Sequence, residues 1–233
     1  MANENGTATS TPAPAVSRHR QNGPPLLIPG IAFAVLTVAS AILGASGPRP
    51  ASSLTDTAFY DVTHHTTLIV LGTIVFGTSI PLATWTAVTY RRLRHLGITV
   101  PGATIAVAGG LLASASLAVS GLVTWTAAQS ASDIDLSLAR ALTDLAFATG
   151  GAGFVVPFGL LIAGVAIPGM MNGLMPRWVG WAGLVVAGIA ELATLSLLTS
   201  ALDPLLPVAR FGGLIWLLLA SVLLPLERRR SNQ

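Results

Sequence analysis

Six stretches of the chain stay apolar long enough to cross a bilayer, with short polar segments between them. They fall at residues 26–46, 66–90, 101–127, 141–167, 178–200 and 208–226. A hydrocarbon core of ~30 Å takes about 20 helical residues to cross. In lipid every backbone N–H and C=O has to be satisfied within the protein, which an α-helix does within one segment. The pattern therefore predicts an all-α fold, a polytopic transmembrane bundle of six spans. Residues 1–24 are rich in Thr, Ser, Ala, Asn and Pro without apolar periodicity and are expected to form a disordered tail. Residues 25–227 would be the six-helix domain and 228–233 a short basic tail.

The connections alternate in character. Arg91, Arg92 and Arg94 follow the second stretch, Arg177 precedes the fifth, and Arg228, Arg229 and Arg230 follow the sixth. The other connections carry Asp56, Asp61, Asp133, Asp135 and Asp203. With Arg18 and Arg20 the basic side holds nine Arg, against three (Arg49, Arg140, Arg210) on or near the other side. Short loops rich in Lys and Arg stay in the cytoplasm. Both termini are thus expected in the cytoplasm, in a bacterial plasma membrane. A cleaved signal peptide would use Arg18–Arg20 as its basic region and Gly44-Ala45-Ser46 as its cleavage site. The first apolar stretch, about 20 residues, exceeds the usual ~7–15 of such a region, so a retained span is the expectation. Trp178 and Trp181 beside Arg177 fit interfacial anchors, as do Tyr60 and Trp125, with Trp85 a turn or so inside its span.

Composition narrows the chemistry. Only 9% of the 233 residues are charged and 52% are hydrophobic, against ~25% charged in a typical soluble domain. There is no Cys, which excludes disulfides, thiolate metal sites and Cys nucleophiles, and no Lys, which excludes Schiff-base chemistry and Ser–Lys dyads. The net charge of +3 comes from Arg clusters beside apolar runs, a topology signal and not a nucleic-acid footprint. The Ala-rich, Lys-free composition hints at a GC-rich genome.

Small residues predict how the spans pack. Ala106, Gly110, Ser114 and Ala118 recur every fourth residue, with Gly109, Ala113 and Gly121 on the adjoining stripe. Such faces let helices approach closely in lipid. In the fifth span Gly180, Gly183 and Ala187 lead by another step to Glu191, which is therefore expected to point into the bundle. Pro81 and Pro157 each follow a Gly by four residues within a span and predict kinks. Residues 31–47 match residues 105–121 at nine of seventeen positions, a hint of a duplicated helical hairpin.

Ionisable groups inside spans are costly and call for partners. Glu191, Arg210 and Asp144 all fall in the outer half of their spans. They are expected to form a polar cup open to the outside, with Arg210 paired to Glu191 or Asp144. Asp61, His64 and His65 share one helical face at the start of the second span and offer carboxylate and imidazole to a divalent ion, though without a clear fourth ligand. No second span residue offers itself as an axial haem ligand, and no cofactor is expected. Gly44-Ala45-Ser46-Gly47 resembles the nucleophile motif of rhomboid proteases, but it ends the first span and has no His in a later span to serve as base. No catalytic pair or nucleotide-binding motif is found.

Asp56-Thr57-Ala58-Phe59-Tyr60, the Arg-rich segment after the second span, and Leu174-Met175-Pro176-Arg177-Trp178-Val179-Gly180-Trp181-Ala182-Gly183-Leu184 resemble a family of actinobacterial multi-pass membrane proteins with no assigned activity. The resemblance covers about residues 26–226 and implies the same topology; it adds no chemistry. The expected role is a non-enzymatic component that senses, binds or assists a partner, which would be lipid, another membrane protein or a second copy. The alternative is a small transporter using the cup, with Glu191 as the cation-linked group. An intramembrane enzyme or metal-binding protein comes third.

Overall fold

A computed structural model describes residues 25–47, 60, 63–98, 100–131 and 135–225. The two tails, Asp61, Arg228, Arg229 and Arg230 lie outside these residues. Among the described residues all regular structure is helical: α1 Leu27–Gly44, α2 His65–His95, α3 Pro101–Gln129, α4 Leu136–Gly150, α5 Ala152–Met171, α6 Arg177–Leu192 and α7 Leu205–Leu223. Two 3-10 turns, Ala193–Leu197 and Ser200–Leu202, join α6 to α7. These make six spans long and apolar enough to cross a membrane, with α4 and α5 together forming the fourth (Leu136–Met171). The bundle exterior is itself apolar. Ile28, Val35 and Ile42, seven residues apart on α1, are 66%, 61% and 70% exposed, a surface that only lipid would cover favourably.

The helices close into a ring, α1–α2–α3–α5–α6–α7 and back to α1, with α5 also against α7 and α4 leaning on α3 and α5. Small residues set the closest crossings, as the spacing predicted. A Cβ on Gly121 would lie 2.7 Å from the Gly72 carbonyl oxygen, and one on Gly109 would lie 2.6 Å from the backbone of α5. These positions accept no side chain without moving a helix. Among the described residues, buried hydroxyls mostly return to the backbone of the preceding turn, as Thr86 does to Leu82 O and Ser114 to Gly110 O. Thr37 and Thr89 have no such partner.

At the end of the bundle bearing Arg91–His95, the turns are short and rigid. α2 and α5 both end on a left-handed glycine, Gly97 (φ 82°) and Gly173 (φ 63°). Each allows an N–H to reach back five residues, Ile98 to Leu93 O and Leu174 to Gly169 O. Pro101 then opens α3, and Pro176 stands at the N-cap of α6. Arg92 donates to Leu224 O at 3.1 Å and so caps α7 from α2. Arg91, Arg94, Arg177, Trp178 and Trp181 are exposed here, where interfacial anchors belong.

α2 and α5 run as helix through Pro81 and Pro157, and the fourth span is interrupted at Gly150–Gly151. Because α2 has no matching interruption, the two proposed hairpin copies differ in form. Trp85, a turn or so inside its span, is buried between helices. It is 1% exposed, and its indole N–H donates to Ser221 Oγ at 2.8 Å, tying α2 to α7.

Candidate functional site

A cavity of 710 Å³ occupies the half of the bundle opposite the Arg91–His95 end. It is lined by α1, α2, α3, α4, α7 and the first residues of α5, and α6 takes no part. Phe154 lines the floor, backed by two buried rings: it stacks on Phe158 at 5.1 Å, and Phe33 of α1 leans against both at 6.4 and 5.9 Å. Near the rim the Tyr60 hydroxyl meets Ser46 Oγ at 3.1 Å, and the Tyr60 ring stacks on His64 at 4.1 Å.

Arg210 is the cation of this cavity. Its guanidinium lies 5.1 Å from the Phe154 ring centroid and donates to the carbonyl oxygen of Gly150. The helix break explains why that oxygen is available. In an uninterrupted helix it would accept from the Phe154 N–H, but that N–H bonds to Gly151 O at 3.2 Å instead. Arg210 thus closes the C-terminal, partially negative end of α4, where a cation is favoured. A face-on guanidinium–ring contact adds about 0.5–2 kcal/mol depending on desolvation. The rest of the guanidinium faces the cavity, and Arg210 is accordingly half-buried.

One buried hydroxyl of the lining lacks a partner. Thr37 is 4% exposed, lines the cavity, and leaves its Oγ1 without a hydrogen bond among the described residues. It sits one turn above Phe33 on α1, so Thr37 and Arg210 flank the same aromatic floor. Thr78, by contrast, is satisfied by Ile74 O at 2.7 Å.

The predicted cup is only partly assembled. Arg210 pairs with neither expected carboxylate. Asp144 is held 3.1 Å from Arg140, four residues back on its own helix, and does not line the cavity. Glu191 is exposed and has no hydrogen-bond or ion-pair partner among the described residues. The buried seam of α6 runs Gly180, Gly183, Ala187, Ala190. At ~3.6 residues per turn Glu191 lies ~40° from Ala187 and ~20° from Gly180, at the edge of that seam, and its carboxylate sits beside Gly159 of α5 without lining the cavity. Asp203 lines the cavity two turns toward the rim from Arg210 without pairing to it. At the proposed metal site His65 is exposed, and His64 Nδ1 lies 3.2 Å from the Tyr60 carbonyl oxygen. Asp61 is outside the described residues, and among those described no cluster of three metal-ligating side chains occurs.

Sequence reasoning missed Thr37, Phe154 and Gly150. The Gly150-Gly151 pair was the available signal, since paired glycines punctuate helices. Thr37 carried none. Comparison of the chain with protein-family models, curated proteins and solved structures finds no match. The resemblance to the actinobacterial family therefore rests on the quoted segments alone. A second groove between α1 and α2, lined by Pro29, Ala32, Gly77 and Pro81 among others, contains no ionisable side chain. The chemistry available to the molecule is concentrated at Arg210.

Proposed function

We propose that this chain is a non-enzymatic binding component of the bacterial plasma membrane, with cytoplasmic termini and its cavity open toward the outside. One observation carries the reading: the Arg210 guanidinium lines a 710 Å³ cavity and has no carboxylate in ion-pair contact among the described residues. An Arg at such depth costs on the order of 2.5–3.5 kcal/mol on insertion scales. A carbonyl and an aromatic face offset part of that, and a bound anion would offset the remainder. The cavity volume lies within the ~300–1,000 Å³ usual for small-molecule sites. Its residues offer charge, hydroxyls and apolar wall, without a nucleophile–base pair.

The test is thermal stability of the purified protein in neutral detergent with benzoate or dodecanoate, against benzamide or dodecanol as uncharged counterparts. The carboxylates should raise the Tm of the wild type and leave Arg210→Gln unmoved. Equal effects from charged and uncharged compounds would remove the reading.

A second reading, a small transporter, is favoured by the break at Gly150–Gly151. Discontinuous helices place helix ends at the substrate in several transporter folds. Arg210 is then the substrate-linked residue, because Glu191 does not line the cavity. Carboxylate uptake into liposomes that is abolished by Arg210→Gln would support transport; binding without uptake would leave the accessory role.

A further inference from the structure

We infer that the cavity opens sideways into the bilayer between α4 and α7 and takes from the lipid a single-chain amphiphile with an anionic, carboxylate or phosphate head. This rests on the anion-binding reading above and adds the class of ligand and its route.

Four observations carry it. First, the ring of helices is incomplete on this half. α4 packs on α3 and α5, and α7 packs on α6, α1 and α5, but α4 and α7 share no extended face. Second, Phe147 from α4 and Phe211 from α7 both line the cavity and are 38% and 37% exposed, so two apolar side chains on helices that do not pack together are left uncovered at its edge. Third, the polar equipment is confined to the floor. Arg210 stands over the Phe154 ring, and the Thr37 hydroxyl, without a partner among the described residues, lines the same cavity. An anionic head would supply an acceptor to both. Fourth, the depth suits a lipid-like molecule. Arg210 stands fourteen residues from Leu224, roughly 21 Å at ~1.5 Å per residue. That is about two thirds of the way across a ~30 Å core. An anionic head entering from the nearer leaflet descends ~9 Å below the hydrocarbon boundary, less than a third of the core, and the Arg210 side chain reaches toward it, while its chain leaves between Phe147 and Phe211. A water-soluble anion would need no such side opening.

The chain has no cysteine, so a double variant F147C/F211C carries the only thiols. The full-length protein in nanodiscs is mixed with vesicles containing fluorescent dodecanoate or dodecyl phosphate, and loading is followed before and after bridging the two thiols with a short bismaleimide. Bridging should slow loading at least tenfold, with equilibrium affinity in the unbridged variant near wild type. Dodecanoate and dodecyl phosphate should bind at least tenfold more tightly than dodecyltrimethylammonium, acetate or inorganic phosphate. Arg210→Gln should erase the preference for the anionic head. Should acetate or benzoate bind as tightly as dodecanoate, with loading indifferent to the bridge, the lateral route is wrong while the anion site stands. Should no anion bind at all, the anion-binding reading falls and this inference with it. If the double variant fails to fold, Phe211→Trp gives the same decision. Its quenching by chain-brominated dodecanoate should exceed that of the parent with its five native tryptophans, and the excess should vanish when Arg210→Gln is added; an equal excess with and without Arg210 would overturn the assignment.

Discussion

Arg210 and Glu191 show how far an ionisable residue can be read from sequence. Both stood out as charges within apolar stretches, and each was expected to complete the other. The structure separates them: Arg210 satisfies itself on the Gly150 carbonyl and the Phe154 ring, while Glu191 lies exposed beside Gly159 of α5 and does not line the cavity. A backbone carbonyl freed by a helix break has no signature of its own residue type, which is why this partner was not legible. The two side chains should therefore be energetically independent. Arg210→Gln is expected to destabilise by about 1.5–3 kcal/mol, the range for a hydrogen bond made by a charged group. Glu191→Gln should be neutral or slightly stabilising. Their double variant should equal the sum within about 0.3–0.5 kcal/mol, as for uncoupled sites, in chemical denaturation from detergent micelles. A coupling of 1 kcal/mol or more would restore the predicted pair. Trp85 offers the complementary case, where the indole–Ser221 bond at 2.8 Å ties α2 to α7. Trp85→Phe should cost roughly 1 kcal/mol beyond any packing loss, the usual net value of one hydrogen bond. Ser221→Ala introduced on top of it should then add little.

At the scale of elements, the six spans were legible because apolar length is a strong signal, and their interiors agree closely with the predicted stretches. Their ends moved for physical reasons. α2 continues to His95 because its basic last turn is compatible with helix beyond the lipid, and Leu224 O accepts from Arg92. The fourth span begins at Leu136, not 141, because Arg140 and Asp144 pair along the helix and make that polar turn tolerable. The small-residue face of α3 was read correctly, and its crossings should be intolerant of added volume. Gly121→Val would drive a branched side chain into the α2 backbone at Phe76 and Gly72. It should lower stability by at least the ~1–3 kcal/mol of ordinary overpacking, whereas Gly77→Ala, with nothing within 4 Å of the new Cβ, should leave Tm unchanged. The break at Gly151 was not foreseen, and it is the element on which the cavity depends. A Cβ there would meet the Phe147 carbonyl at 2.6 Å. Gly151→Ala should therefore disturb the position of Gly150 O and weaken carboxylate binding with a smaller effect on Tm than Gly121→Val. An Ala variant that binds as wild type would separate the cavity from the break.

For the whole molecule, the orientation of the bundle decides what the cavity can meet, and it is set by charges that touch nothing in the core. Arg91, Arg94 and Arg177 are exposed beside the tight turns at 96–100 and 172–176, so their placement serves insertion more than packing. Arg92 is different, since it also caps α7, and its removal would confuse topology with stability. Short basic loops remain in the cytoplasm during insertion. An alkaline phosphatase fused after Ile98 should therefore be inactive and one fused after Ala131 active, with a fluorescent protein giving the opposite pair. Replacing Arg91, Arg94 and Arg177 together by Asn should produce a mixed population, because the remaining bias rests on the tails and Arg92. The same replacements should leave the Tm of correctly inserted protein within about 0.5 kcal/mol of equivalent stability, as for surface sites without partners. If the fusion after Ile98 proves active outside the cell, the cavity faces the cytoplasm. Its anionic ligand would then be drawn from the inner leaflet, where anionic lipids and free carboxylates are at hand, and the role of Arg210 would change from capture of an external compound to sensing of an internal one.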